Sequence, residues 1–151
     1  MSHADELLLR SSEYADNAQA LREAELWSGA VEQSFIALEV ILKAALEKHG
    51  TDSHTVSVGG VTELSRYPFT HNLEEIGRCK MQPPGSRKQS LNKHFRSDRR
   101  GTVLWQAALS TRAAWSMHLR YKRLPFSEEE CGQAFEIYGR LRAWIATNFV
   151  K

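Results

Sequence analysis

The stretch that decides the fold runs from Trp27 to Gly50 and reads WSGAVEQSFIALEVILKAALEKHG. Its apolar residues recur at three- and four-residue spacing, which is the spacing of one face of an α-helix. Lys48 and His49 in the last turn and the glycine after them are typical of a helix C-terminus. The stretch therefore predicts a long helix that ends at Gly50, and we expect the hydroxyl of Ser28 to cap its start.

Helical periodicity also precedes this stretch. From Asp5 onward, apolar positions recur every three or four residues, so we expect a first long helix that packs on the second as an αα-hairpin. Residues 51–69 are loop-like, and their segment 56–61 leaves a small β-hairpin open as an alternative.

Further helical segments follow the loop. A short helix is expected with Thr70 as its cap, and the two prolines that follow it end the helix. Ser127 and Glu130 have the spacing of a capping box at the start of a last helix. Between Thr70 and Ser127, we expect helical segments at residues 71–80, 91–95 (one turn) and 102–121. The sequence therefore predicts an all-α fold, an up-and-down bundle of four main helices plus a short one, in a single domain over residues 1–151.

The composition excludes several classes of protein. With 42% hydrophobic and 25% charged residues, the chain is typical of a folded globule. It has no apolar stretch of the about 18 residues that a membrane span needs, and its N-terminus lacks the basic region of a secretory signal. Cys79 and Cys131 form no CxxC pair and lack histidine neighbours at zinc-site spacing. We therefore expect packed thiols in a reducing cytoplasm, no contact with a membrane, no metal and no cofactor.

Motifs of common enzyme classes are also missing. The chain contains no P-loop, dinucleotide fingerprint, nucleophile elbow or HExxH sequence.

Cations concentrate in one segment, although the net charge is only +2. Between Pro83 and Gly101, a single acid, Asp98, accompanies six basic side chains. These are Arg87, Lys88, Lys93, Arg96, Arg99 and Arg100, and we call them the basic segment. With Phe95 and His94 interleaved, such a segment is typical of a surface that holds phosphates and stacks on an unpaired base, as RNA-binding surfaces do. A solvated loop is the alternative interpretation.

Three pieces of the chain resemble the HEPN family, a helical bundle found in bacterial toxins, antiphage systems and partners of nucleotidyltransferases. Residues 37–46 read ALEVILKAAL, similar to the family's A-x-E-x-x-L-K-A-L run. Residues 71–76 read HNLEEI, like its H-x-L-x-x-L element. Leu119-Arg120-Tyr121 is similar to the R-Y that precedes the last helix in many members. The order and spacing of these pieces agree from about Ala18 to Phe149.

The resemblance implies a homodimer and often a role in RNA metabolism or defence. It also implies that a nucleotidyltransferase or an antitoxin protein is a candidate partner. Active HEPN ribonucleases carry an R-x(4–6)-H motif, usually with a polar residue directly after the arginine. Here the motif falls on Arg112 and His118, and Ala113 stands at the position that is usually polar. An arginine that holds the phosphate and a histidine that moves a proton are the groups that metal-independent RNA cleavage needs.

Three hypotheses about function follow from these patterns. The first is a HEPN-like dimer of a defence or toxin–antitoxin system that binds RNA and is a candidate metal-independent endoribonuclease. The second is a non-catalytic HEPN-like module that binds a protein partner. The third is a helical binding protein with no nucleic-acid role.

Simpler interpretations also apply to the individual residues. Six positions on an ideal helix separate Arg112 from His118 by about 120°, so a surface arginine and a partly packed histidine are the alternative to a catalytic pair. Glu39 and Lys43 are expected to form an i,i+4 pair. His71 is expected to fix a loop by hydrogen bonding.

Overall fold

The computed structural model describes residues 1–114 and 125–150, and within these ranges the chain is mostly helical, as predicted. The helices are α1 (His3–Glu23), α2 (Trp27–His49), α3 (Leu73–Arg78), α4 (Leu91–Arg96), α5 (Arg99–Leu109) and α6 (Glu128–Ile145), and a π-helical turn, Ala146–Val150, continues α6. Residues 112–114 are helical as well. Among the described helices, none combines the length and the apolar character needed to cross a bilayer.

A β-hairpin follows α2. Strand β1 (His54–Val58) pairs antiparallel with β2 (Val61–Ser65). Gly59 and Gly60 form the turn with φ values of 57° and 80°, the positive angles that a two-residue hairpin loop needs. The hairpin left open by the sequence is therefore confirmed.

A second, smaller sheet joins the end of α2 to the segment after α3. Strand β3 (Lys80–Met81) pairs antiparallel with β4 (Gln89–Ser90), and Gly50 forms a bridge to Met81. The basic segment begins in the loop between β3 and β4, so its first residues are held on a defined backbone.

The centre of the fold is α2, which packs against α1, α3, α6 and the π-helical turn. Its fully buried side chains include Phe35, Leu38, Ile41, Leu42 and Leu46. Full burial of one such side chain contributes about 1.5–3 kcal/mol. The apolar stripe read from the sequence is therefore the main source of packing energy in the fold.

A buried polar contact joins three of the helices. Ser11 on α1 donates its hydroxyl to the Ala37 carbonyl of α2 at 2.7 Å, and the same hydroxyl accepts from Nε of Arg142 on α6 at 2.8 Å. Nη2 of Arg142 also donates to the Ser12 hydroxyl at 2.8 Å. Because these groups satisfy one another inside the protein, they fix the relative positions of the three helices.

Two predicted caps are wrong, and one is confirmed. The residue that precedes α2 is Leu26, which provides no side-chain cap, and the Ser28 hydroxyl instead accepts the Phe126 N–H at 2.9 Å. The cap of α3 is Asn72, whereas Thr70 lies two residues earlier and its hydroxyl accepts the Asn72 N–H. The capping box at the start of α6 forms as predicted.

The predicted fourth helix is interrupted. It starts earlier than expected, with Asp98 as its cap, and α5 ends at Leu109. The Thr111 hydroxyl then lies 2.8 Å from the Ala108 carbonyl and 2.6 Å from the Tyr138 hydroxyl of α6. These hydrogen bonds lie where the helix was expected to continue. The remainder of the predicted helix, with the Arg120-Tyr121 pair, lies outside the described residues.

Candidate functional site

A buried ionic cluster lies where α2 meets the loop before α3. Glu39 is only 3% exposed, and its two carboxylate oxygens have different partners. Nζ of Lys43 donates to Oε2 at 3.0 Å, and Nδ1 of His71 lies 2.6 Å from Oε1. The Lys43 ammonium also lies 5.8 and 5.9 Å from the ring centroids of Tyr67 and Phe69. The carboxylate therefore has the compensating cation that a buried charge requires.

The cluster brings together two of the pieces that resemble the HEPN family. Glu39 and Lys43 come from the first piece, and His71 comes from the second. Both simple interpretations are confirmed, since the i,i+4 pair forms and His71 holds its loop through a hydrogen bond. The burial of the pair was not predicted from the sequence. The signal for it is that two charges stand inside an otherwise apolar stretch, where burial requires them to be paired.

The basic segment is exposed along its whole length. Arg87 and Lys88 lie between β3 and β4, Lys93 and Arg96 lie on α4, and Arg99 and Arg100 open α5, and all six side chains are exposed. Within residues 1–114 and 125–150, none of them makes an ion pair with an acid. The structure therefore leaves these charges open to an external anion.

The two rings of this segment do not share its exposure. Phe95 is 0% exposed and stacks on Trp105, with 4.6 Å between ring centroids. His94 is 4% exposed, and its Nε2 lies 2.9 Å from the Met81 carbonyl oxygen. The expectation that these rings stack on an unpaired base is wrong, because the rings of α4 face the core while its cations face solvent.

Arg112 is engaged by the start of α6. Its Nε and Nη2 donate to the two carboxylate oxygens of Glu130 at 2.8 and 2.9 Å, and Nη2 also donates to the Pro125 carbonyl at 2.6 Å. The guanidinium carbon lies 4.8 Å from the centroid of the Phe126 ring. The hydrogen bond from Arg112, together with those from Ser127, holds the pKa of Glu130 below its usual range. Arg112 therefore ties residues 112–114 to α6.

The predicted partner of Arg112 in catalysis, His118, lies outside the described residues. The Arg112–His118 pair stays a prediction. A phosphate that approached Arg112 would have to compete with a bidentate carboxylate, which is the strongest geometry that an arginine forms with a side chain.

Both cysteines are buried and free, as expected for packed thiols. Burial, with smaller contributions from the carboxylates of Asp52 and Glu75, raises the pKa of the Cys79 thiol to about 11. Burial also raises the pKa of Cys131. Histidine spacing along the chain gave no sign of a metal site, but the structure brings Asp52 and His54 beside Cys79, with one ligand atom of each within 4.8 Å of the others.

Comparisons with protein-family models, with curated proteins and with solved structures found no match to this chain. The structure itself shows that the described part of the chain is mostly helical and has an exposed basic surface and a buried ionic cluster.

Proposed function

We propose that this protein binds RNA through the basic segment. The observation that carries the proposal is that the six cations are exposed, and no acid in the described ranges pairs with any of them. Cations of this kind neutralise phosphates, and the release of the counterions condensed on the nucleic acid then drives binding. The net charge of +2 means that the excess is local rather than general.

The start of α5 brings two of these cations together. Arg99 and Arg100 occupy its first turn, directly after Asp98, whose carboxylate caps the helix by accepting the Gly101 N–H at 2.9 Å. The backbone dipole is positive there, so acids normally stabilise this position and cations weaken it by about 0.3–1 kcal/mol each. Two arginines at this end weaken the helix but favour a bound phosphate.

Phosphates rather than bases are the expected points of contact. Because Phe95 and His94 are buried, the segment offers cations and backbone groups without the rings that the sequence suggested. Recognition through phosphates carries little sequence information and depends strongly on salt. We therefore propose an RNA-binding surface with weak sequence preference.

The choice of RNA rests on the HEPN resemblance. On the basis of the same resemblance, we propose a HEPN-like bundle, a homodimer in the cytoplasm, and a role in a defence or toxin–antitoxin system. A nucleotidyltransferase or an antitoxin protein is then the candidate protein partner.

Fluorescence anisotropy with a labelled single-stranded RNA tests the proposal. The test variant replaces Arg96, Arg99 and Arg100 together by Gln. The control variant replaces three exposed arginines from other elements, Arg10, Arg78 and Arg140, so both variants lose the same charge. We expect the test variant to bind about tenfold more weakly or worse at low salt, and the control to remain close to wild type. Equal losses in the two variants would mean that net charge, and not this surface, controls binding.

Whether the protein also cleaves RNA is decided by Arg112 and His118. The contacts of Arg112 with Glu130 favour the non-catalytic form of the proposal, because they commit the guanidinium to a structural pair. A cleavage assay in the presence of a chelator should then show no product that depends on either residue. Cleavage that is lost to a similar extent in Arg112→Ala, in His118→Ala and in the double variant would instead establish a ribonuclease whose two groups act as a unit.

A further inference from the structure

We propose that Asp52, His54 and Cys79 bind a zinc ion. Their ligand atoms lie within 4.8 Å of one another, and Nε2 of His54 is 3.9 Å from Sγ of Cys79. Zinc bonds of about 2.0–2.3 Å in a tetrahedral site place ligand atoms about 3.3–3.8 Å apart. The separation of His54 and Cys79 is therefore close to the spacing that one ion requires, and no separation in the group exceeds that spacing by more than about 1.5 Å.

The chemistry of the three ligands selects the metal. A thiolate and an imidazole are ligands that zinc prefers, whereas magnesium and calcium are bound by oxygen. The set contains one sulfur, one nitrogen and one carboxylate oxygen, and it leaves a fourth tetrahedral position to water. Cys79 is buried, while Asp52 and His54 are half-buried, so the ion reaches the site from solvent.

Backbone pairing holds two of the ligands side by side. The Thr51 N–H donates to the Lys80 carbonyl at 3.0 Å, and the Lys80 N–H donates to Oδ2 of Asp52 at 3.0 Å. The Asp52 carboxylate is thus oriented by the residue that directly follows Cys79. Hydrogen bonds of this kind fix the ligands of a metal before it binds, which reduces the ordering cost of binding.

The ion would anchor the β1–β2 hairpin, of which His54 is the first residue. The described side chains near the turn contribute little packing, because Thr55, Ser57, Val61, Thr62, Glu63 and Leu64 are all exposed. A two-stranded hairpin without a packed face is marginally stable in water. A bond from His54 through zinc to Cys79 ties the base of the hairpin to the end of α3, and metal that binds only the folded chain raises its stability.

Cobalt titration of the full chain tests the site, because a thiolate bound to Co²⁺ gives a charge-transfer band in the near ultraviolet. Cys79→Ser is the test variant, and Cys131→Ser is its matched control, since Cys131 is the other buried free cysteine. We expect the wild type and Cys131→Ser to show the band at one ion per chain, to lose it when zinc is added, and to gain thermal stability with zinc. Cys79→Ser should show neither the band nor the gain.

His54→Gln gives a second test in case Cys79→Ser does not fold, which far-ultraviolet circular dichroism will reveal. His54 lies on the hairpin and outside the core, and its replacement should weaken cobalt binding by about tenfold or more. Wild-type protein without the band, a band that follows Cys131, or unchanged affinity in His54→Gln would each overturn the proposal.

Discussion

At the scale of single residues, Glu39 organises its surroundings because its charge is buried. Its two oxygens have separate partners, Lys43 and His71, and the lysine in turn faces two aromatic rings. Removing one member leaves the other charge without compensation in a site from which water is largely excluded. The cost of that loss exceeds the net contribution of the pair itself.

We therefore predict that Glu39→Ala lowers the free energy of unfolding by about 3–5 kcal/mol. The double variant Glu39→Leu with Lys43→Met should be less destabilised than the single one, because it buries no unpaired charge. Urea denaturation measures both. The control is Glu136→Ala, which breaks an i,i+4 pair with Arg140 whose side chains are 62% and 61% exposed. That change should cost at most about 0.5 kcal/mol, and a similar loss in Glu39→Ala would contradict the role assigned to the cluster.

At the scale of elements, the pair between Arg112 and Glu130 connects residues 112–114 to α6. The folded-state pKa of Glu130 is depressed, chiefly by the hydrogen bond from Arg112. A carboxyl of this kind stabilises the fold above its unfolded pKa, and the stabilisation is lost as the pH falls through its folded value. Solvent screens the pair, because its side chains are 43% and 35% exposed, so it contributes about 1 kcal/mol or less.

Glu130→Gln should therefore be slightly less stable than the wild type at pH 7, and the difference should be smaller at pH 3. Glutamine retains one oxygen for the capping box but loses the charge and one of the two acceptors of Arg112, so only the part of the difference that changes with pH reports the charge. Thermal unfolding at both pH values provides the measurement. A difference that stays the same at pH 3 would show that the contribution of Glu130 is not ionic.

Elements with local signals were predictable from the sequence. The end of α2 at Gly50, the capping box of α6 and the helical turn of α4 all depend on residues within a few positions of one another. The break after α5 was not predictable, because Thr111 fits the helical spacing. Its partner there is Tyr138, on a different helix.

The parts of the sites that the sequence missed also depend on contacts between distant residues. His71 meets Glu39, and Cys79 meets Asp52, only after the loop following α2 has folded back on the helix. The rotational orientation of α4 on the core likewise determines that Phe95 is buried while Arg96 is exposed. The charged groups could be identified from the sequence, whereas their placement, and the approach of Asp52 and His54 to Cys79, required the fold.

At the scale of the whole molecule, the HEPN resemblance predicts a symmetric homodimer with the predicted fourth helix near its axis. Val103 on α5 is 61% exposed, which suits a residue that a second copy covers. Light scattering should give twice the chain mass of 17.2 kDa at micromolar concentration.

Val103→Lys should reduce that mass to the monomer value if α5 lies at the axis. The matched control is Leu9→Lys on α1, where the side chain is 51% exposed and a dimer should persist. A wild-type mass of 17.2 kDa would show that the protein is a monomer and contradict the predicted homodimer.

The RNA-binding claim concerns the distribution of charge over the molecule, and the dependence of affinity on salt tests it most directly. For single-stranded RNA, the slope of log affinity against log salt is more negative by about 0.7 for each phosphate that the protein neutralises. Replacing Arg96, Arg99 and Arg100 by Gln should therefore reduce the magnitude of the slope by about 2, while the control that replaces Arg10, Arg78 and Arg140 leaves it at the wild-type value. A slope that is the same in the test variant and the wild type would show that these arginines do not contact phosphates, and would contradict the account.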